Sequence, residues 1–224
     1  MNPIIVALDV ESAGAADQLV GRLGDSVSFY KVGMELYAAG GMEFVRGLVA
    51  RGKQVFLDMK FYDIGETVKR AVAQLAASGV RFTTVHGSKA VMQAAVQGRG
   101  ASNLQLLAVT VLTSFDQDDL ADLGYPCPVS DLVALRVRKA CEAGIDGIVC
   151  SPLEVAAVRA IAGPTAVLVT PGVRSAGAGK GDQKRVATPT EALANGANYL
   201  VIGRQITRAP DPAAEARRIL AENH

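Results

Sequence analysis

The chain has 224 residues, of which 50% are hydrophobic, so it is long enough to bury one large core or two small ones. Its 23 basic and 22 acidic residues nearly cancel, which argues against long-range attraction to nucleic acid or to an anionic membrane. The 3 cysteines lack the close spacing of a zinc site or a disulfide framework, and the first residues lack the basic start of a signal peptide. We therefore expect a cytoplasmic protein whose partner is a small molecule.

Short apolar segments rich in β-branched residues recur along the whole chain and predict strands. They are apolar on both faces, as parallel strands covered by helices are. In chain order the eight segments are residues 4–10, 28–33, 54–60, 81–87, 104–113, 147–151, 166–172 and 199–204.

Segments with helical character separate these strands, and their ends carry recognisable signals. Four glycines stand a few residues before a strand, where glycine can end a helix in the left-handed conformation: Gly52, Gly79, Gly144 and Gly196. Residues 151–154 and 188–191 have the pattern of a capping box with proline at the first helical position. The chain therefore alternates between strand and helix.

Eight alternating units fit either a closed (β/α)8 barrel or an open, doubly wound sheet. We predict an α/β fold, a single-domain TIM barrel over residues 1–224, because the count of units is eight and a barrel makes the carboxyl ends of its strands converge on one face. An open sheet would spread those ends along a line. Polar residues at those ends are Asp9, Lys31, Asp58, Lys60, Thr113 and Arg204. Two long loops, 114–128 and 171–189, should lie over this face, and the second, rich in glycine, has the composition of a mobile lid.

The most specific local pattern is the cluster of charges that ends the third predicted strand. Asp58 and Lys60 are two residues apart and should share a face of the strand, and Asp63 follows in the loop. Lys31 ends the second strand and supplies another cation. Such charges could form a purely structural ion-pair network, but their position at the mouth of a barrel favours a functional site.

Five segments resemble the bacterial orotidine monophosphate decarboxylases, and the resemblance covers nearly the whole chain. They are Lys31 within FYKVGMELY, LDMKFYDIGET at 57–67, VLTS at 111–114, TPGVR at 170–174 and VIGRQI at 201–206. The resemblance implies conversion of orotidine monophosphate to uridine monophosphate in uridine monophosphate synthesis, without a metal or an organic cofactor.

The same resemblance implies a catalytic array of Lys31, Asp58, Lys60 and Asp63. It also implies a homodimer in which Asp63 and Thr67 enter the active site of the partner subunit. Loss of carbon dioxide leaves a carbanion at C6 of the pyrimidine, so a cation is needed there. Lys60 fits that role and the role of the acid that protonates C6, while Asp58 would repel the substrate carboxylate in the ground state.

Other residues are expected to bind the two ends of the substrate. Gly203 and Arg204, after the last strand, suit a phosphate dianion, and the resemblance adds Arg174 and Gln183. The role of Arg174 is left open, because the same loop contains other cations, Lys180, Lys184 and Arg185.

The pyrimidine and the ribose are expected to contact residues of two further strands. Thr113, helped by Ser114, should hydrogen-bond to the pyrimidine, although a Thr-Ser pair is more often a plain turn. The resemblance implies that Asp9 binds the ribose hydroxyls. The alternative is that Asp9 only caps a loop. Lys31 is counted among the substrate contacts as well as in the catalytic array.

Three alternative functions remain open at this point. A sugar-phosphate decarboxylase or synthase of the same superfamily would share the Asp-x-Lys strand end, but such relatives carry a metal-binding carboxylate where this chain has Lys31. A Schiff-base aldolase would need Lys60 neutral, whereas Asp58 and Asp63 favour its charged form. A non-catalytic phosphate-binding module would have no use for the four charges.

Overall fold

The computed structural model describes residues 2–175 and 185–222. Eight parallel strands form a closed barrel in which neighbours in the chain are neighbours in the sheet, and β8 closes onto β1. The prediction of a TIM barrel is therefore confirmed. The strands are Ile4–Ala7 (β1), Phe29–Gly33 (β2), Gln54–Phe61 (β3), Phe82–Val85 (β4), Gln105–Val109 (β5), Gly147–Val149 (β6), Val167–Thr170 (β7) and Tyr199–Ile202 (β8).

Helices on the outside of the barrel connect the strands. They are Ala13–Leu23 (α1), Met34–Ala50 (α2), Gly65–Ala76 (α3), Lys89–Arg99 (α4), Gln117–Asp122 (α5), Val129–Ala143 (α6), Val155–Ala162 (α7), Pro189–Ala194 (α8), Arg204–Thr207 (α9) and Pro212–Ala221 (α10). A kink at Gly41 interrupts α2, where φ is 56°. None of the helices in the described ranges has the length and apolar character needed to cross a membrane.

The core has two layers, one between the strands and the helices and one inside the barrel. The layer inside the barrel is rich in aromatic rings, including those of Phe29, Phe82 and Tyr199. The guanidinium of Arg81 lies over all three rings, with 5.2 Å from its Cζ to the centroid of Phe82. Arg81 also donates to the hydroxyl of Tyr199 at 2.8 Å, so aromatic and cationic groups fill the amino end of the barrel.

The signals for helix ends are confirmed with one exception. The four predicted glycines all have positive φ, and Thr188 forms a reciprocal capping box with Glu191 at the start of α8. Residues 151–154 form only half of a capping box. The carboxylate of Glu154 accepts from the backbone N–H of Ser151 at 3.2 Å, but the hydroxyl of Ser151 accepts from the N–H of Leu153 and α7 begins only after Glu154. The carboxylate of Glu154 also forms an ion pair with Arg185.

Candidate active site

A cavity of about 480 Å³ opens at the carboxyl ends of the strands. Its wall includes most of the residues expected to contact a substrate, namely Asp9, Lys31, Asp58, Lys60, Thr113, Ser114, Arg174, Gly203 and Arg204. Thr113 lies beyond the end of β5, which stops at Val109, so this residue is positioned by a loop and not by a strand. Gln183, Lys180 and Lys184 lie outside the described residues.

Two lysines and two aspartates form a chain of charges on one side of the cavity. Nζ of Lys60 is 2.9 Å from both carboxylate oxygens of Asp58. Nζ of Lys31 donates to Asp9 at 2.9 Å and lies 3.7 Å from Oδ2 of Asp58. The side chain of Asp58 is 14% exposed and is thus enclosed by the two ammonium groups.

The environment of Asp58 keeps its carboxyl group ionised. Burial raises its pKa, but the positive charges of Lys31 and Lys60 and hydrogen bonds from Lys60 and Thr84 outweigh that effect. The pKa of Asp58 therefore lies below its ordinary value. A carboxylate beside two ammonium groups can orient Lys60 and can also repel an anionic substrate group.

The backbone of β3 departs from regular alternation where it delivers Lys60. Between Leu57 and Phe61 the register against β4 shifts, and Lys60 has φ of 49°, the only positive φ of a non-glycine residue in the described ranges. A non-glycine residue in this region costs on the order of 1–3 kcal/mol. Thr84 compensates, because its Oγ1 accepts from the N–H of Lys60 at 2.8 Å and donates to Asp58 at 2.8 Å.

Asp63 and Thr67 do not join the charged cluster of their own chain. Both side chains are exposed, and neither lines the cavity. The carboxylate of Asp63 accepts from the backbone N–H of Ile64 at 2.6 Å. Tyr62 and Ile64, on either side of Asp63, are 69% and 76% exposed, so this loop presents apolar side chains to the outside.

Two arginines lie together on another side of the cavity. Burial lowers the pKa of Arg174, and the positive charge of Arg204 lowers it further. The positive charge of Arg204 therefore acts on Arg174, and both residues line the cavity. Such a pair suits a dianion such as a phosphate ester.

Arg185 has a structural partner that the sequence did not reveal. Its guanidinium forms an ion pair with Glu154 and donates to the carbonyls of Val111 and Leu112, at 3.3 and 3.0 Å. Arg185 thus binds the loop that precedes Thr113, whereas Arg174 lines the cavity. Of the two described cations of this loop, Arg174 lines the cavity and Arg185 does not. The role of Arg174 toward a substrate stays a prediction.

The described residues give little support to two other kinds of chemistry at the cavity, a nucleophilic thiol and a bound metal ion. Burial raises the pKa of the Cys150 thiol to about 12, so this cavity residue is a poor nucleophile near neutral pH. Groups of three or more His, Cys, Asp or Glu side chains able to hold a metal ion do not occur within residues 2–175 and 185–222. The expectation of a reaction without metal or cofactor stays a prediction.

Comparison with known proteins gives one consistent result. The model of the Orotidine 5'-phosphate decarboxylase / HUMPS family matches residues 2–219. Proteins named orotidine 5'-phosphate decarboxylase from Rhodopseudomonas palustris (strain BisA53) and Methylorubrum extorquens (strain PA1) are 55% and 53% identical over 219 residues. These alignments cover 98% of the chain and 93% and 94% of the two relatives.

Solved structures agree with the sequence relatives. The crystal structure of orotidine 5'-phosphate decarboxylase from Lactobacillus acidophilus aligns with a TM-score of 0.87 at 36% identity, covering 100% of both chains. A structure of an uncharacterized conserved protein from Geobacillus kaustophilus aligns with a TM-score of 0.86, also at 36% identity, covering 99% of this chain and 100% of that one.

Proposed function

The chain belongs to the orotidine 5'-phosphate decarboxylase / HUMPS family and acts as an orotidine 5'-phosphate decarboxylase, and we propose that Lys31, Asp58 and Lys60 carry the reaction. The observation that supports this assignment is the ion-paired cluster on the cavity wall, in which the ammonium of Lys60 binds both oxygens of a buried carboxylate. The proposal treats residues 1–224 as one catalytic domain.

Lys60 acts on the carbon from which carbon dioxide leaves. The bond between C6 and the carboxylate carbon breaks, the electron pair stays on C6, and the ammonium of Lys60 stabilises this charge and then donates a proton to C6. Asp58 holds Lys60 in place and repels the substrate carboxylate, a repulsion that disappears as neutral carbon dioxide forms. Lys31 links Asp58 to Asp9, which we propose as the ligand of the ribose hydroxyls.

Arg174, Arg204 and Gly203 bind the phosphate, with Gln183 as a further contact. The supporting observation is that Arg174 lies in the loop after β7 and Arg204 begins the short helix α9 after β8, while Lys60 belongs to β3. Strands β3 and β7 are four positions apart in a ring of eight and therefore lie on opposite sides of the barrel. A nucleotide can thus place its phosphate at the arginines and its pyrimidine near Lys60, with Thr113 and Ser114 along the cavity wall.

The active form is a homodimer in which Asp63 and Thr67 complete the site of the partner subunit. Both residues are exposed and do not line the cavity of their own chain, and the apolar side chains of Tyr62 and Ile64 beside Asp63 would gain from burial between subunits. The enzyme works in the cytoplasm, which agrees with three cysteines that are all free.

The geometry disfavours the alternative activities. A metal-dependent sugar-phosphate enzyme would carry a metal-binding carboxylate in place of Lys31, whose ammonium here lies 2.9 Å from Asp9 and 3.7 Å from Asp58. A Schiff-base mechanism would require Lys60 to lose both hydrogen bonds to Asp58 before it could attack a carbonyl.

The decisive experiment follows loss of orotidine monophosphate by its ultraviolet absorbance, with a chelator present. The parent protein should turn over undiminished, and Lys60→Ala should lose at least about 10²–10⁴-fold in kcat while it still binds uridine monophosphate. Activity that disappears with chelator, or a Lys60→Ala protein with near-parental kcat, would contradict the proposal.

A further inference from the structure

Residues next to the two phosphate-site arginines are bonded to each other. The backbone N–H of Ser175 donates to Oε1 of Gln205 at 3.2 Å, and Nε2 of Gln205 donates to Oγ of Ser175 at 2.8 Å. Ser175 follows Arg174 in the chain, and Gln205 follows Arg204. These two hydrogen bonds, here termed the Ser175–Gln205 bridge, join the loop after β7 to the short helix after β8.

The C-terminal helix α10 anchors the bridge. Nε2 of Gln205 also donates to Glu215 at 3.0 Å, and Oγ of Ser175 donates to Glu222 at 2.9 Å. Arg218 donates to Glu215 at 2.7 Å and to Oγ of Ser175 at 3.3 Å. Hydrogen bonds from Arg218 and Gln205, with the positive charge of Arg218, outweigh burial and lower the pKa of Glu215 to about 2. Glu215 therefore remains an ionised acceptor at every physiological pH.

The bridge joins the two segments that carry like charges. Burial lowers the pKa of Arg174 and the positive charge of Arg204 lowers it further, and both arginines line the same cavity. The bridge contains no net charge and is mostly shielded from water, since Ser175 is 5% exposed. It can fix the spacing of the arginines without neutralising the charge that attracts an anion.

We propose that the Ser175–Gln205 bridge is a positioning element that sets the spacing of Arg174 and Arg204 for a phosphate monoester, and thereby makes the enzyme select phosphorylated over phosphate-free nucleosides. Neither residue of the bridge lines the cavity, so both act through the arginines. This inference rests on the proposed phosphate role of Arg174 and Arg204.

The test compares the affinities for uridine monophosphate and uridine, measured by calorimetry or by competition with substrate. Gln205→Met keeps the length of the side chain but removes both hydrogen bonds, and Ser175→Ala removes one. Gln97→Met, on the exposed face of α4, is the matched control. Both bridge variants should lower the affinity for uridine monophosphate on the order of tenfold, Ser175→Ala less than Gln205→Met. The affinity for uridine should stay unchanged. The Michaelis constant should rise more than kcat falls.

The outcomes separate this inference from the phosphate assignment. A bridge with a purely structural role would lower the unfolding temperature and leave the ratio of the two affinities at the parental value. If Arg204→Ala lowers that ratio and neither bridge variant does, the bridge is not a positioning element. If Arg204→Ala also leaves the ratio unchanged, the phosphate site itself is misassigned. Should Gln205→Met fail to fold, the ratio in Ser175→Ala decides.

Discussion

Thr84 is the residue whose replacement tests the geometry of the charged cluster most directly. Its hydroxyl donates to the carboxylate of Asp58 and accepts from the backbone N–H of Lys60, both at 2.8 Å, and the residue is fully buried. Thr84→Val keeps the shape of the side chain and removes both bonds. It leaves the Lys60 N–H without this acceptor and weakens the force that holds Lys60 at positive φ.

The expected loss of stability follows from the two bonds. A neutral hydrogen bond contributes about 0.5–1.5 kcal/mol and one to a charged group about 1.5–3 kcal/mol, so Thr84→Val should destabilise the fold by about 2–4 kcal/mol. For a chain of this size that corresponds to an unfolding temperature lower by about 4–16 °C. Because Lys60 would shift relative to the substrate, kcat should fall by about tenfold to a hundredfold.

Thr83 provides a matched control. It is equally buried, but its hydroxyl donates to the carbonyl of Leu57 at 2.8 Å and has no bond to the charged cluster. Thr83→Val should cost about 1 kcal/mol and leave kcat unchanged. The assays are thermal unfolding by circular dichroism and steady-state decarboxylation. Equal effects of the two variants on kcat, or a parental kcat in Thr84→Val, would refute the positioning role of Thr84.

Three further predictions concern other parts of the site. Mixing Lys60→Ala homodimers with Asp63→Ala homodimers should restore roughly a quarter of parental activity, since about half of the dimers become mixed and each mixed dimer has one intact site. If native mass spectrometry shows subunit exchange but activity does not recover, Asp63 does not complete the site of the partner subunit. Because the pKa of Asp58 is lowered in the folded state, its ionised carboxylate stabilises the fold at pH values above about 3.9, the pKa of an aspartate in the unfolded chain. This stabilisation is lost as the pH falls through the folded pKa. In urea unfolding, the difference in free energy of unfolding between the parent and Asp58→Asn should therefore shrink below about pH 4. Arg185→Ala leaves the carboxylate of Glu154, which is 12% exposed, without its cationic partner and should cost about 3–5 kcal/mol in urea unfolding. Removing both charges with Arg185→Met and Glu154→Leu should cost much less.

The barrel could be predicted from the sequence because its signals are local. Apolar segments mark the strands, and Gly52, Gly79, Gly144 and Gly196 mark helix ends through a backbone preference that depends on the residue itself. The pattern at residues 151–154 was half right, because Glu154 accepts from the backbone N–H of Ser151 but α7 begins only after Glu154. The ion pair of Glu154 with Arg185, 31 positions away in the chain, could not be predicted from a local pattern.

Three of the four residues predicted as a charged array, Lys31, Asp58 and Lys60, lie together on the cavity wall, but their arrangement could not be predicted. Regular alternation predicts that Asp58 and Lys60 converge, whereas the structure brings them together through a register shift and a strained backbone at Lys60. Thr84, which hydrogen-bonds to both residues, belongs to the next strand and looks like an ordinary buried strand residue in the sequence. The Ser175–Gln205 bridge could not be predicted from the sequence either, since it joins residues that are 30 positions apart.

Arg81 and the rings of Phe29, Phe82 and Tyr199 pack together at the amino end of the barrel, and the cavity opens at the carboxyl ends of the strands. Substrate that enters the cavity and product that leaves it therefore pass the same face of the barrel. Carbon dioxide that leaves by this face must diffuse past bound uridine monophosphate or wait until the nucleotide dissociates. The order of product release thus depends on the shape of the barrel as well as on the chemistry at Lys60.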